Sequence, residues 1–167
     1  MSRILARENV FKLIYERVIR NEKNPHSFEA VIKSTEESEK EYIISLYNGI
    51  DECLEFLQKI IERFAIDFKL TRIHKVDLAI LLVATYEILF VEDIIEAISA
   101  NEAVEIAKKF SNEDSGKFIN GILASVIKDK DNLIEEFNKK DEVIEEEVFL
   151  EEIEKEATEE IFKQDNN

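Results

Sequence analysis

Asn101–Leu123 reads NEAVEIAKKFSNEDSGKFINGIL. A helical pattern with Ala103, Ile106, Ala107 and Phe110 on one side stops at the polar run Ser111–Ser115, and a second apolar series restarts at Phe118. Asp114 and Ser115 both have side chains that can cap the second helix, which is expected to run to about Ile127. Ser99 followed by Glu102 makes a capping-box pattern ahead of the first.

Upstream, IHKVDLAILLVATYEILF is almost continuously apolar from Leu78 to Phe90. A helix without a polar face belongs at the centre of a core. Before it, apolar residues at 43, 47, 50, 54, 57, 61 and 64 step by four and three, which predicts one long helix opened by a Ser38–Glu41 capping box. Residues 2–21 form an amphipathic helix carrying Leu5, Val10, Phe11, Ile14, Val18 and Ile19, with Arg3, Arg7 and Lys12 away from most of that stripe. Pro25 marks a turn, and Ser27–Lys33 fits one short helix. Three glycines and one proline in 167 residues, 45% of them apolar, argue for helices over strands. The fold class is all-α.

Net charge is −16, which argues against binding a phosphate polymer. Its distribution changes that reading. Residues 1–129 carry 17 basic and 23 acidic side chains, whereas residues 130–167 carry 5 and 15. The chain therefore divides into a helical domain, 1–129, and an acidic extension, 130–167, which is either a charged helix or disordered. Within the first twenty residues Arg3, Arg7, Lys12, Arg17 and Arg20 face only Glu8 and Glu16, so the amino-terminal helix is the cationic element.

No apolar run approaches the length of a membrane span, and no secretory signal pattern is present, so a cytoplasmic protein is expected. Cys53 falls in an apolar helical series and is read as a buried thiol without a chemical role. Gly49, Gly116 and Gly121 form no phosphate-cradling loop, His26 and His74 are far apart, and nothing has metal-ligand spacing. An enzyme is not expected, nor a cofactor.

The loop and helix at Asp114, Ser115, Lys117, Phe118, Asn120, Gly121 and Leu123 fit the pattern DSxKFxNGxL, and the chain thereby resembles the NusB family of transcription antitermination factors. Two further segments are similar to that family: Ala6–Glu8 (ARE) with Tyr15, and FKLTRIHKVDLAILLVATYEIL from Phe68 to Leu89, with its R-x-x-x-V-D and Tyr-Glu pattern. The resemblance covers Arg3 to about Asp129. It implies two small helical bundles packed side by side, with the acidic extension lying beyond the family core. It also implies binding of boxA-type single-stranded leader RNA together with NusE, the small-subunit ribosomal protein that doubles as an elongation factor. The transcription elongation complex is then a partner, and processive transcription of ribosomal RNA operons the outcome.

RNA of that kind needs cations for phosphates, a planar group for stacking and short polar groups for base edges. Arg3 and Arg7, four apart on one helix face, and Lys117 at a helix start supply the cations. Phe118 fits a stacking platform or the core, and Asp114 and Ser115 fit base readers or helix caps. The resemblance implies the RNA role for all six. It also makes Tyr15, Tyr86 and Glu87 the candidate contacts to the protein partner, although Glu87, an acid embedded in an apolar helix, fits either a paired buried group or an exposed position on a binding face. Asn120 and Gly121 are read as structural, the glycine allowing another helix close. Leu82 stands where the family usually has arginine, and Ile95 where a proline often precedes the N-E-A helix. Two other readings remain open: a helical protein-interaction module, homodimeric or bound to another partner, with little RNA binding, and an extension that packs over the RNA face through Phe137, Ile144 and Val148.

Overall fold

The computed structural model describes residues 2–165, so the last two residues of the extension lie outside the described residues. Among the described residues eight α-helices follow one another: α1 (Arg3–Arg20), α2 (Pro25–Ser34), α3 (Glu37–Glu52), α4 (Leu54–Phe64), α5 (Lys75–Phe90), α6 (Glu96–Phe110), α7 (Glu113–Lys128) and α8 (Lys130–Asp165), with a 3₁₀ turn at Leu70–Arg72. No strand occurs among the described residues. The chain divides into two compact units that meet after Lys130.

In the first unit α5 is the axis. It packs against α1 and α3 on one side and against α4, α6 and α7 on the other. The amino-terminal helices α1, α2 and α3 form one small bundle, and α4, α6 and α7 close a second around the same central helix. Leu78 through Leu82, Val83, Ala84, Ile88 and Leu89 are all buried, which is why this helix shows no polar face in the sequence. Each such Leu, Ile or Val contributes about 1.5–3 kcal/mol by leaving water. Leu82 is fully buried. An arginine at that position would need an ionic partner inside the protein, so leucine suits the interior of this chain.

Local signals account for some boundaries and mislead at others. Asn24 caps α2 through its side chain, with Pro25 at the first helical position, where its missing N–H costs nothing. The long helix expected from residue 38 to 64 is broken at Cys53, whose φ of −98° and ψ of 11° leave the helical region. Its N–H is shared between the carbonyls of Gly49 and Asp51, and the apolar series continues across the break because both halves face the same core. Cys53 itself is half-buried rather than enclosed.

Neither capping box upstream of α7 forms. Ser38 lies inside α3, and Ser99 lies inside α6 with its hydroxyl bonded to Glu87. At α7 the cap is Asn112, whose Oδ1 accepts the Ser115 N–H at 2.8 Å, so neither Asp114 nor Ser115 holds that role.

Two glycines divide in function. A Cβ on Gly49 would meet the ring and hydroxyl of Tyr86, so α3 and α5 approach only because that position has no side chain. Gly121 has no atom of another element within 4 Å of where its Cβ would stand, among the described residues. The close helix approach expected there does not exist.

Taken by itself, α8 is a 36-residue helix, so the extension is helical throughout its described length. No helix among the described residues is long and apolar enough to cross a membrane.

Candidate functional site

The start of α5, the start of α7 and the 3₁₀ turn converge on a pocket of about 270 Å³. Asn112 ends α6's loop by capping α7, which points the first turn of α7 at the pocket and brings Asp114, Ser115 and Phe118 to its wall. Phe68 and Arg72 come from the segment before α5, and Asp77 from the first turn of α5 itself. The rings of Phe68 and Phe118 meet edge to face with centroids 5.5 Å apart. Phe68 is 48% exposed and Phe118 half-buried, so one aromatic wall is open to solvent. Arg72, His74 and Asp114 are exposed at the rim, and Lys117 is exposed one residue before Phe118.

The polar side of the pocket is wired internally. The Ser111 hydroxyl donates to Ser115 Oγ at 2.9 Å, and Ser115 in turn donates to Asp77 Oδ2 at 2.8 Å. Asp77 is buried, and its other oxygen, Oδ1, has no hydrogen-bond partner among the described residues. A carboxylate in the first turn of α5 is favoured by the helix dipole, which offsets part of the cost of that burial. Ser115 therefore belongs to the framework of the pocket, and its hydroxyl is not free to read a base. Phe68 and Arg72 are the residues that sequence reading passed over. Both stand in the segment that carries the R-x-x-x-V-D pattern, but only folding places them opposite Phe118.

The candidate cations of α1 are elsewhere. Arg7 is 4% exposed and grips Glu87, with Nε 2.9 Å from Oε2 and Nη2 2.7 Å from Oε1. Tyr42 donates to Glu87 Oε1 at 2.8 Å and Ser99 to Oε2 at 2.9 Å, so the carboxylate is fully engaged. Burial is the largest influence and opposes the charge on Arg7, but the Glu87 hydrogen bond together with the charge interactions of Tyr42, Glu87 and Glu102 outweighs it, and its pKa is raised. Burial, with Glu87 beside it, pushes the Tyr42 phenol far up, which keeps it a donor. Arg7 cannot grip a phosphate from this position, and the expected Arg3–Arg7 pair is corrected to Arg3 alone. Arg3 is half-exposed, lies over the Tyr42 ring at 4.0 Å and approaches Glu39 at 2.9 Å in a close ion contact without hydrogen-bond geometry.

Glu87 is 0% exposed, so it cannot be a partner contact as expected. Its neighbour Tyr86 is half-buried over Gly49, with its ring 5.2 Å from that of Phe90, and burial raises its phenol pKa. Tyr15 is half-buried and stacks on Phe11 at 6.1 Å. Glu87 and Asp77 are ten residues apart on α5, about 15 Å along the axis. The structure thus gathers Asp114, Ser115 and Phe118 with Lys117 at one end of α5 and leaves the Arg3 and Arg7 cluster at the other.

Comparison with known proteins agrees with this architecture. The family model described as NusB family matches residues 4–128. The Transcription antitermination protein NusB of Ruminiclostridium cellulolyticum is 40% identical over 130 residues, covering 77% of this chain and 90% of that protein. Among solved structures, NusB of T. maritima superposes with a TM-score of 0.70 at 32% identity, covering 77% of this chain and 92% of that one. A chain from a complex of the antitermination factors NusB and NusE with double-stranded RNA superposes with a TM-score of 0.68 at 25% identity, covering 77% and 98%.

Proposed function

Because the chain belongs to the NusB family, we propose that it acts as a transcription antitermination factor through the pocket between α5 and α7. It binds boxA-type single-stranded leader RNA together with NusE, within the transcription elongation complex, and so promotes processive transcription of ribosomal RNA operons. The family is one of transcription factors rather than enzymes.

The observation that carries this reading is the solvent-open aromatic wall of Phe68 and Phe118 with cations near it, Arg72 at the rim and Lys117 exposed one residue before Phe118 on α7. A base stacks on the aromatic wall while the phosphates before and after it meet Arg72 and Lys117. The free N–H groups in the first turn of α7 favour the same anions. Asp114, exposed at the rim, is placed to accept from a base amino group. Arg3 extends the cationic surface along α1, and Tyr15 and Tyr86, each half-buried, offer partial faces to the protein partner.

A salt titration of binding to a short boxA-like strand, with and without NusE, tests the reading. Tight binding that NusE strengthens and salt weakens is expected. A chain that binds NusE but is indifferent to RNA would instead be a protein-interaction module, a reading favoured by the withdrawal of Arg7 from the surface.

A further inference from the structure

The extension has a chemistry of its own. Between Asp141 and Ile161 it holds eleven acidic side chains against the single lysine Lys155. These 21 residues span about 31 Å of α8. Over the same length stand large apolar side chains that are about half exposed: Val143 at 54%, Ile144 at 47%, Val148 at 50%, Phe149 at 62%, Leu150 at 53%, Ile153 at 46% and Ile161 at 62%. At 100° per residue Val143, Phe149, Leu150, Ile153 and Ile161 fall within an arc of about 120°, with Glu142, Glu146 and Glu160 set among them, while Ile144 and Val148 lie on the opposite side of the helix. The match to the family ends at residue 128, so this surface is additional to the family fold.

We propose that this face of α8 is a docking surface for a cationic amphipathic helix of another protein. An apolar arc of that width on a long helix is the form of surface that a partner helix covers. Charge selects the partner. A second copy would set eleven acids against eleven, and like charges facing across an interface oppose association. RNA and anionic membrane surfaces are repelled for the same reason. A helix with leucine-like side chains on one face and lysine or arginine beside them satisfies both the arc and the glutamates within it.

The test uses the full chain and a fluorescent 21-residue peptide of leucine and lysine with all leucines on one helical face. A scrambled peptide of the same composition serves as control. The variant carries Phe149→Ser, Leu150→Ser and Ile153→Ser, three exposed positions, with helicity checked by circular dichroism. Fluorescence anisotropy is expected to give binding in the micromolar range, at least tenfold weaker both for the scrambled peptide and for the triple variant. Equal affinity for the scrambled peptide, or for the triple variant, would reduce the effect to plain charge attraction and overturn the proposal. So would absence of binding, self-association of the chain that the same three substitutions abolish, or loss of RNA affinity in the triple variant. RNA affinity is measured on the same samples, so the fate of this proposal is read separately from that of the RNA site.

Discussion

Arg7 and Glu87 lie eighty residues apart in the chain and meet inside it, guanidinium against carboxylate, with Nε and Nη2 donating to different oxygens. Tyr42 from α3 and Ser99 from α6 complete the shell, so one carboxylate ties four helices together. A buried ion pair contributes little net stability over an apolar pair of the same size, but removing one partner strands the other. Arg7→Ala is expected to lower stability by about 3–5 kcal/mol. Arg7→Met combined with Glu87→Gln should recover more than half of that loss, because the amide oxygen accepts from one of the two hydroxyls of Tyr42 and Ser99, the amide NH2 donates to the oxygen of the other, and no charge is left alone. Urea unfolding measures both. A mutant Arg7→Ala with unchanged stability and weakened RNA binding would return Arg7 to the surface role.

At the pocket the expectation is reversed, because the side chains are exposed. Lys117→Ala and Arg72→Ala should leave the unfolding midpoint within about 0.5 kcal/mol of wild type. Each should lower the slope of log affinity against log salt by about 0.7, the value for one phosphate contact on a single strand. Phe118→Ala should cost about 1–3 kcal/mol of RNA binding through lost stacking. Anisotropy titrations at several salt concentrations separate the three. An unchanged salt slope in both cation variants would remove the pocket from the RNA site.

The helical class, the central place of α5 and the start of the acidic extension are legible in the sequence because they rest on composition and on runs of apolar residues. Helix starts are less so. Ser38 and Ser99 fit capping boxes by spacing, yet Ser99 is drawn to Glu87 by a contact twelve residues away, which no local pattern encodes. The same limit governs the site. Phe118 and Lys117 stand in a motif, but Arg7 looks solvent-facing on a helical wheel and is buried because Glu87 arrives on α5. Phe68 and Arg72 acquire meaning only when the 3₁₀ turn carries them to α7.

The two glycines that differ in their surroundings should differ in sign on substitution. Gly49→Ala forces the Tyr86 ring out of its place between α3 and α5, and overpacking of that kind costs about 1–3 kcal/mol. Gly121 sits on an exposed helical surface with open space around it, so Gly121→Ala should stabilise by about 0.5–1 kcal/mol through helix propensity alone. Thermal unfolding decides both, and near-ultraviolet circular dichroism should report the displaced tyrosine in Gly49→Ala only. Stabilisation by Gly49→Ala would contradict the packing of Tyr86 described above.

Glu8 makes the stability of the first unit depend on pH in a predictable direction. It joins α1 to α6 by accepting from Lys109 at 2.7 Å, and it also pairs with Lys12 at 2.8 Å on its own helix. The Lys109 hydrogen bond, followed by that of Lys12, holds its carboxyl below the ordinary value of 4.5. A carboxyl lowered on folding stabilises the native state above its ordinary pKa, and that contribution is lost as pH falls through the lowered value. Lys109 and Lys12 are 60% and 51% exposed, so solvent screens the pair and the contribution is about 1 kcal/mol or less. The stability difference between wild type and Glu8→Gln should therefore be constant from neutral pH to about pH 5 and shrink below it. It should also shrink in high salt at neutral pH, since both lysines reach into solvent. A difference that persists unchanged at pH 3 would show that Glu8 acts through packing rather than through its charge.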